Sequence, residues 1–286
     1  MTQRRAEILL AFVIMARATS LVFTKGCLRE MGTFNLLFMR FLTGFILLAI
    51  LFWKRLRQVK WHTLRRGMIL GGLFFAIMTC EVTAAHTAKA STISALVNTA
   101  IILVPLINAL LLHRRPRARE VLCAAVAVAG VMLVNWTGEG LELHIGEWLS
   151  LLEAVLYACA IVVTDRFSHK EDDTLVLGVI QVGTLGVLAL IASVLVETPH
   201  LPYAPGTWAM VAALAVVCTG FGFTLQPVAQ RYTTAERSGL LCALNPVVAT
   251  ACGVFILHES LSAVQLLGIV LILGSLLLPY IIKEKA

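Results

Sequence analysis

Ten apolar stretches, each long enough to cross a bilayer, run through this chain almost end to end. They read as roughly 6–24, 34–53, 67–86, 91–112, 120–136, 147–166, 174–195, 207–230, 236–257 and 263–282. Within hydrocarbon a backbone has to satisfy its own hydrogen bonds, so stretches of this kind are expected to be helices. The expected fold class is an all-α polytopic membrane protein of ten transmembrane helices. Composition agrees: hydrophobic residues are 59% of the 286 and charged ones 14%, with a mean hydropathy of +0.89. A soluble domain of this size needs far more charge to cover its surface. The first stretch follows Arg4 and Arg5 but has no small-residue cleavage site after a short apolar core, so it is expected to stay as a helix.

Lys and Arg fall on alternate connections, and this sets the expected orientation. One set of connections holds Arg4, Arg5, Lys54, Arg55, Arg57, Lys60, Arg65, Arg66, Arg114, Arg115, Arg117, Arg119, Arg166, Lys170, Arg231, Arg237, Lys283 and Lys285. The other holds Lys25, Arg29 and Lys89. The first set belongs inside, which puts both termini in the cytoplasm and the chain in a bacterial inner membrane. The net charge of +7 is mostly this topogenic bias; short basic loops beside helix ends do not make a nucleic-acid surface. Trp53, Trp136, Trp148 and Trp208 fall at predicted helix ends, as an aromatic belt requires, and Trp61 falls in an inner loop. Cysteines 27, 80, 123, 159, 218, 242 and 252 are scattered with no CxxC pair, so packing is expected of them rather than metal or disulfide chemistry.

Displaced by about 140–145 residues, the chain matches itself in helix ends and polar positions. Glu7, Ala18, Val22 and Thr24 meet Glu147, Ala158, Val162 and Thr164, and Leu112-His113 meets Leu257-His258. Five helices per copy is an odd number, so the second copy enters the membrane from the opposite side. The expected division is a first repeat over 1–136, an external linker over 137–146 and a second repeat over 147–286. Two equal halves of opposite orientation give two similar states, one open to each side, with a substrate site near the midplane between them.

The end of the chain carries Leu244-Asn245-Pro246-Val247, then Leu257-His258-Glu259-Ser260-Leu261-Ser262, Gln265, Gly268 and Gly274. These resemble the Leu-x-Pro, Gly-Glu-x-Leu-Ser and Gly-x5-Gly pattern of the drug/metabolite transporter superfamily, in its ten-helix form with two EamA-type repeats. Met39-Arg40-Phe41 resembles the arginine of that family's second helix. The chain departs from the pattern at Arg114-Arg115-Pro116, which stands where the second copy has Glu259-Ser260-Leu261, and at Ala16-Arg17, where relatives often have Trp-Gly. The resemblance implies alternating-access transport of a small metabolite, with amino-acid export as the leading version.

Ionisable groups within the spans cost roughly 2.5–3.5 kcal/mol each on insertion scales and point to function. They are Arg17, Arg40, Glu81 and Glu153, and their repeat partners are Tyr157, Gln181, Gln226 and Val13. Three of the four pairs are polar in both copies, as a shared central cavity requires. Glu81, with Thr79 and Thr224 close by in the two copies, is expected either to bind a substrate amine or coupling proton, or to form a structural ion pair with an arginine. Arg17 and Arg40 can each grip a carboxylate through two parallel hydrogen bonds; because the resemblance implies an arginine at Arg40 whatever the substrate, a structural role is the favoured reading there and selectivity falls to Arg17. Carboxylate and guanidinium together suit a zwitterion. Glu153 is expected to snorkel to the interface, with Tyr157 one turn on lining the cavity. Asn98 and Asn108 are expected to hydrogen-bond between helices. Asn245 precedes Pro246 and could present freed carbonyls; Pro105, Pro227 and Pro246 are hinge candidates.

No Walker A loop is present, so ATP does not drive transport directly and no cofactor is implied; transport is expected either to run down the substrate gradient or to exchange for a proton. The expected partners are a small-molecule substrate and membrane lipids, with the chain a monomer or weak dimer. Two rivals stand. Phe38, Phe74, Phe75, Phe221 and Phe223 would serve flat apolar substrates, as in a multidrug or nucleotide-type carrier. An intramembrane enzyme or lipid-handling protein would need a nucleophile and base, and the chain has neither HExxH nor GxSxG.

Overall fold

The computed structural model describes residues 3–111, 118–136, 143–168, 174–222 and 244–281, and its regular elements there are all helical. In the first half of the chain, α1 (Gln3–Ala18) and α2 (Ser20–Cys27) form one span interrupted at Thr19. Next come α3 (Thr33–Leu51), the single turn α4 (Trp53–Leu56) and α5 (Trp61–Ala84). α6 (Ala90–Asn98) and α7 (Ala100–Leu111) are separated at Thr99, and α8 (Ala118–Val134) follows. The second half has α9 (Ile145–Ser168), α10 (Thr174–Val196) and α11 (Pro205–Ala213), which runs on as a π-helical segment, Leu214–Phe221. It ends with α12 (Leu244–Phe255) and α13 (Ala263–Ile281).

Among the described residues, five helices are long and apolar enough to span a bilayer: Arg4–Cys27, Thr33–Leu51, Trp61–Ala84, Ile145–Thr164 and Leu175–Val196. Ala90–Val104, Val121–Val134, Pro205–Phe221 and Ala263–Ser275 are shorter apolar helices. Their outer faces are greasy: Phe12, Ile50, Leu51, Val128, Leu195 and Phe255 are all exposed, which only lipid makes tolerable. The chain is an all-α polytopic membrane protein. Parts of the expected eighth and ninth stretches lie outside the described residues. The third stretch begins at Trp61 rather than at 67, so Trp61, Arg65 and Arg66 belong to a helix and not to a loop. Long basic side chains allow this, because their charge reaches the interface while the backbone stays helical.

Packing follows a consistent plan. α10 lies along both α3 and α5, α13 along α8, and α12 against α6 and α1. α9 packs on α5, α6 and α7, while the π segment packs on α3 and α1. Small residues permit the tightest of these approaches. A Cβ on Gly71 of α5 would lie 2.5 Å from Thr184 Cβ and 2.9 Å from the Gln181 carbonyl of α10, and one on Gly67 would lie 2.6 Å from Ile180. The Gly67-x3-Gly71 pair is thus a packing stripe. Its neighbour Gly72 faces open space.

That contrast yields a paired test. Gly71→Ala should destabilise the protein by about 1–3 kcal/mol through overpacking, whereas Gly72→Ala should be neutral or stabilise by up to about 1 kcal/mol. Thermal unfolding of the two purified variants in detergent reads the difference.

Candidate functional site

The break between α1 and α2 organises the site. Thr19 turns its hydroxyl back to donate to the Ala16 carbonyl at 2.7 Å. Cys218 of the π segment donates its thiol to the same carbonyl at 3.3 Å. Thr99 breaks the α6–α7 rod in the same way, donating to the Leu96 carbonyl at 2.6 Å. Hydroxyls bonded backwards along a helix compete with the regular ladder and bend it. The interruptions therefore fall at two threonines and a π segment, none of them at the prolines proposed as hinges. α7 runs through Pro105, Pro246 lies in the first described turn of α12, and Pro227 is outside the described residues.

Next to this break lies a buried arginine. Arg40, on α3 and 5% exposed, donates from Nε to the Thr219 hydroxyl of the π segment at 3.1 Å. Its guanidinium stands 4.9 Å from the centre of the Phe41 ring. Nη1 is buried without a hydrogen-bond partner among the described residues. Arg17, Glu81, Cys218 and Cys27 all lie within electrostatic reach of it. The Arg17 stem passes beside Gly222, where an added Cβ would be 3.0 Å from Arg17 Cγ. So α1, α3 and the π segment hold two guanidiniums close together, each entering from a different helix.

The carboxyls come from the α5–α9 seam. Glu153 does not snorkel: it is 1% exposed, its side chain reaches the Glu81 carboxyl, and its Oε2 has no partner among the described residues. The reason is positional: α9 packs on α5, α6 and α7, and Glu153 lies on its buried face while Leu152 and Val155 are exposed on the other. Farther along the same seam Tyr157 meets Phe74 edge to face, with ring centres 6.1 Å apart. The cluster thus sets Glu81 between Glu153 on one side and Arg40 on the other, with Arg17 beside Arg40.

Other expected members lie elsewhere. Gln181 is buried beside Gly71, roughly 15 Å along α5 from Glu81 at 1.5 Å per residue. Thr79 spends its hydroxyl on the Phe75 carbonyl of its own helix at 2.8 Å. Asn98 likewise donates within its helix, to the Ser94 carbonyl at 2.6 Å, and not across to another. Asn245 is half-buried in the first turn of α12. Thr224 and Gln226 lie outside the described residues, as does the Asn108 side chain. Thr19, Cys218 and Thr219 join the site without having been expected there. No spacing in the sequence marks them, because the π segment shifts the side-chain register of its helix. A cleft of ≈ 460 Å³ opens away from this cluster, among Gly32, Asn35, Glu197, Thr198 and His200.

Comparison with known proteins gives three findings. The model of the EamA-like transporter family matches residues 4–136 and again 144–281. An uncharacterized transporter of Archaeoglobus fulgidus is 25% identical over 266 residues, covering 89% of this chain and 90% of that protein. A solved crystal structure superposes with a TM-score of 0.70 at 19% identity and 97% coverage of each chain, a likeness of fold.

Thr219→Val removes the hydrogen-bond partner of the Arg40 Nε and should destabilise the protein by about 1–3 kcal/mol. Thr79→Val, which removes a bond within one helix, should cost less than about 1 kcal/mol. Thermal unfolding in detergent separates them.

Proposed function

Because the chain belongs to the EamA-like transporter family, and is a membrane transporter rather than an enzyme, we propose that it exports amino acids by alternating access, coupled to protons. The reading takes the chain as ten helices in two inverted repeats, 1–136 and 147–286, with 137–146 as the external linker and both termini in the cytoplasm of a bacterial cell. The family model matching the two halves separately supports the division. So does the exchange pattern of the packing: α9 on α5 has its counterpart in α1 on the π segment, and α10 on α5 in α3 on the π segment. Like helices pair with like in α3–α10, α8–α13 and α6–α12. A two-fold axis in the membrane plane produces such a pattern.

One observation carries the substrate class: the Glu81–Glu153 carboxyl pair lies in the same buried cluster as Arg40 and Arg17. A zwitterion needs both kinds of partner. Arg17 takes the carboxylate through parallel hydrogen bonds, Arg40 supports it from beneath, and Glu81 takes the amine. Glu81 is the proton carrier in this reading: arrival of an ammonium group beside it favours the carboxylate and releases any proton it holds. In the rival reading, a multidrug or nucleotide-type carrier, a flat apolar substrate would use the Phe74–Tyr157 and Phe34–Phe75 contacts instead.

Counterflow of labelled amino acids in proteoliposomes tests this at two pH values. Wild type should show saturable counterflow that varies with pH. Glu81→Gln should lose the pH dependence and at least about tenfold of the rate, and Arg17→Ala should raise KM about tenfold or more, the effect of a lost charge-assisted bond. Wild-type protein that moves no amino acid overturns the substrate class. An unchanged Glu81→Gln profile overturns the proton role.

A further inference from the structure

Three helices start at one end of the bundle without a cap of their own. α3 follows Gly32, α6 follows Lys89 and α11 follows Ala204, and none of these residues makes a side-chain capping bond. Ser, Thr, Asp or Asn is the usual residue there, because the first amides of a helix have no partner within it. Each of these helices instead receives a glutamate from the other half of the chain. Glu197 accepts from the amides of Phe34 at 3.2 Å and Asn35 at 2.9 Å at the start of α3. Glu259 accepts from the amides of Ala90 at 2.6 Å and Ser91 at 3.2 Å and from the Ser91 hydroxyl at 2.8 Å at the start of α6. Glu30 accepts from the Tyr203 and Ala204 amides and the Thr207 hydroxyl at the start of α11.

The exchange runs both ways, two carboxylates given by the second half and one by the first. Other contacts reinforce it. Lys25 pairs with Glu259 at 3.2 Å, Lys89 donates to the Ser260 carbonyl, and Asn35 donates to the His200 carbonyl at 3.0 Å. Glu259 remains ionised in this place: burial pushes its carboxyl up, but the amide and hydroxyl bonds and Lys25 outweigh that and hold it below the ordinary value. Glu30 is held low chiefly by the Thr207 hydroxyl.

Backbone geometry makes room for two of the three. A Cβ on Gly253 would come 2.5 Å from Glu259 Oε2, and one on Gly32 would strike the Glu197 carboxylate. His258 adopts φ 54°, the left-handed turn that ends α12, and the Glu259 amide then bonds back to the Gly253 carbonyl at 3.0 Å. This turn folds Glu259 toward α6. The position is one that glycine takes most easily.

We propose that Glu30, Glu197 and Glu259 form the gate at this end of the transporter: the capped state seals the seam between the halves, and release of the caps opens it. The inference rests on the alternating-access reading for its role, and on the charge distribution for placing the gate outside. Substrate leaving at this end has to part α3 from the α10 end, α6 from the α12–α13 turn and α11 from the α2 end, which the three caps join. Carboxylates suit a reversible seal here. At a helix start near water, a charge-assisted cap can be exchanged for solvent, whereas an uncapped amide inside hydrocarbon could not.

Native cysteines provide the test. Cys80 and Cys218 are buried beside the central cluster, whereas Cys123 is buried among Ile102, Ala127, Leu273 and Leu278, roughly 16 Å along α8 from Val134 at the capped end at 1.5 Å per residue. Full-length protein in sealed right-side-out and inside-out vesicles is treated with a membrane-impermeant maleimide, and peptide mass spectrometry reads each cysteine. Glu259→Gln and Glu197→Gln should label at Cys80 or Cys218 at least about tenfold faster than wild type, from one side only, the shift expected when one charge-assisted bond is lost. Gly253→Ala, which keeps the carboxylate but displaces it, should do the same. Cys123 should stay protected. Labelling that rises equally at Cys123 means general loosening and overturns the gate, as does wild-type labelling in all three variants. The assay needs no substrate, so a wrong substrate class leaves it intact. The side from which the gain is seen tests the orientation separately.

Discussion

A peptide group in hydrocarbon has no water to turn to, and the rest of this protein is built around that constraint. It makes every described span helical and forces any interruption to be repaired at once by a nearby donor. At Thr19 and Thr99 the repair is a threonine hydroxyl. In the second half of the chain a π-helical turn absorbs the irregularity within its own ladder. It also leaves the first amides of a helix dependent on whatever lies at the membrane surface, and at the starts of α3, α6 and α11 a carboxylate from the opposite half lies there. Folding and the joining of the halves are therefore partly the same set of bonds.

The same economy explains where charge is tolerated. Arg40 is buried where Thr219 and the Phe41 ring meet it and Glu81 stands within electrostatic reach. Glu153 is buried because it lies on the face of α9 that packs on three other helices and meets Glu81 there. Neither group is fully satisfied among the described residues, where Arg40 Nη1 and Glu153 Oε2 lack partners. Unsatisfied buried polar atoms are destabilising, so this cluster has to be held together by the surrounding packing. The glycine stripe of α5 against α10 supplies one such contact.

Much of the site was legible in the residues alone. Arg17, Arg40, Glu81 and Tyr157 stand out as polar groups within apolar runs, and the structure brings Arg40 within reach of Arg17 and Glu81, and sets Tyr157 on the seam that joins Glu81 to Glu153. Gln181 stands out for the same reason yet lies far along α5, because repeat equivalence places two residues symmetrically about an axis without placing them together. Glu153 looked free to reach the interface, since a helix read by itself does not disclose how many neighbours enclose it. Thr219 and Cys218 carried no signal, as a π-helical register cannot be counted from a 3.6-residue period.

Hydropathy and the order of charges along the chain suffice for the class, the number of apolar stretches and the expected sidedness, because bilayer insertion depends on the content of each stretch taken one at a time. Which carboxylate caps which helix, which arginine loses its water and where the rods break depend on contacts between segments such as Lys25 and Glu259, or Arg40 and Thr219. These are remote in sequence, and their energies exist only once both partners are held in one place. Local pattern is fixed by transfer to a solvent, whereas the site and its closure are fixed by pairing.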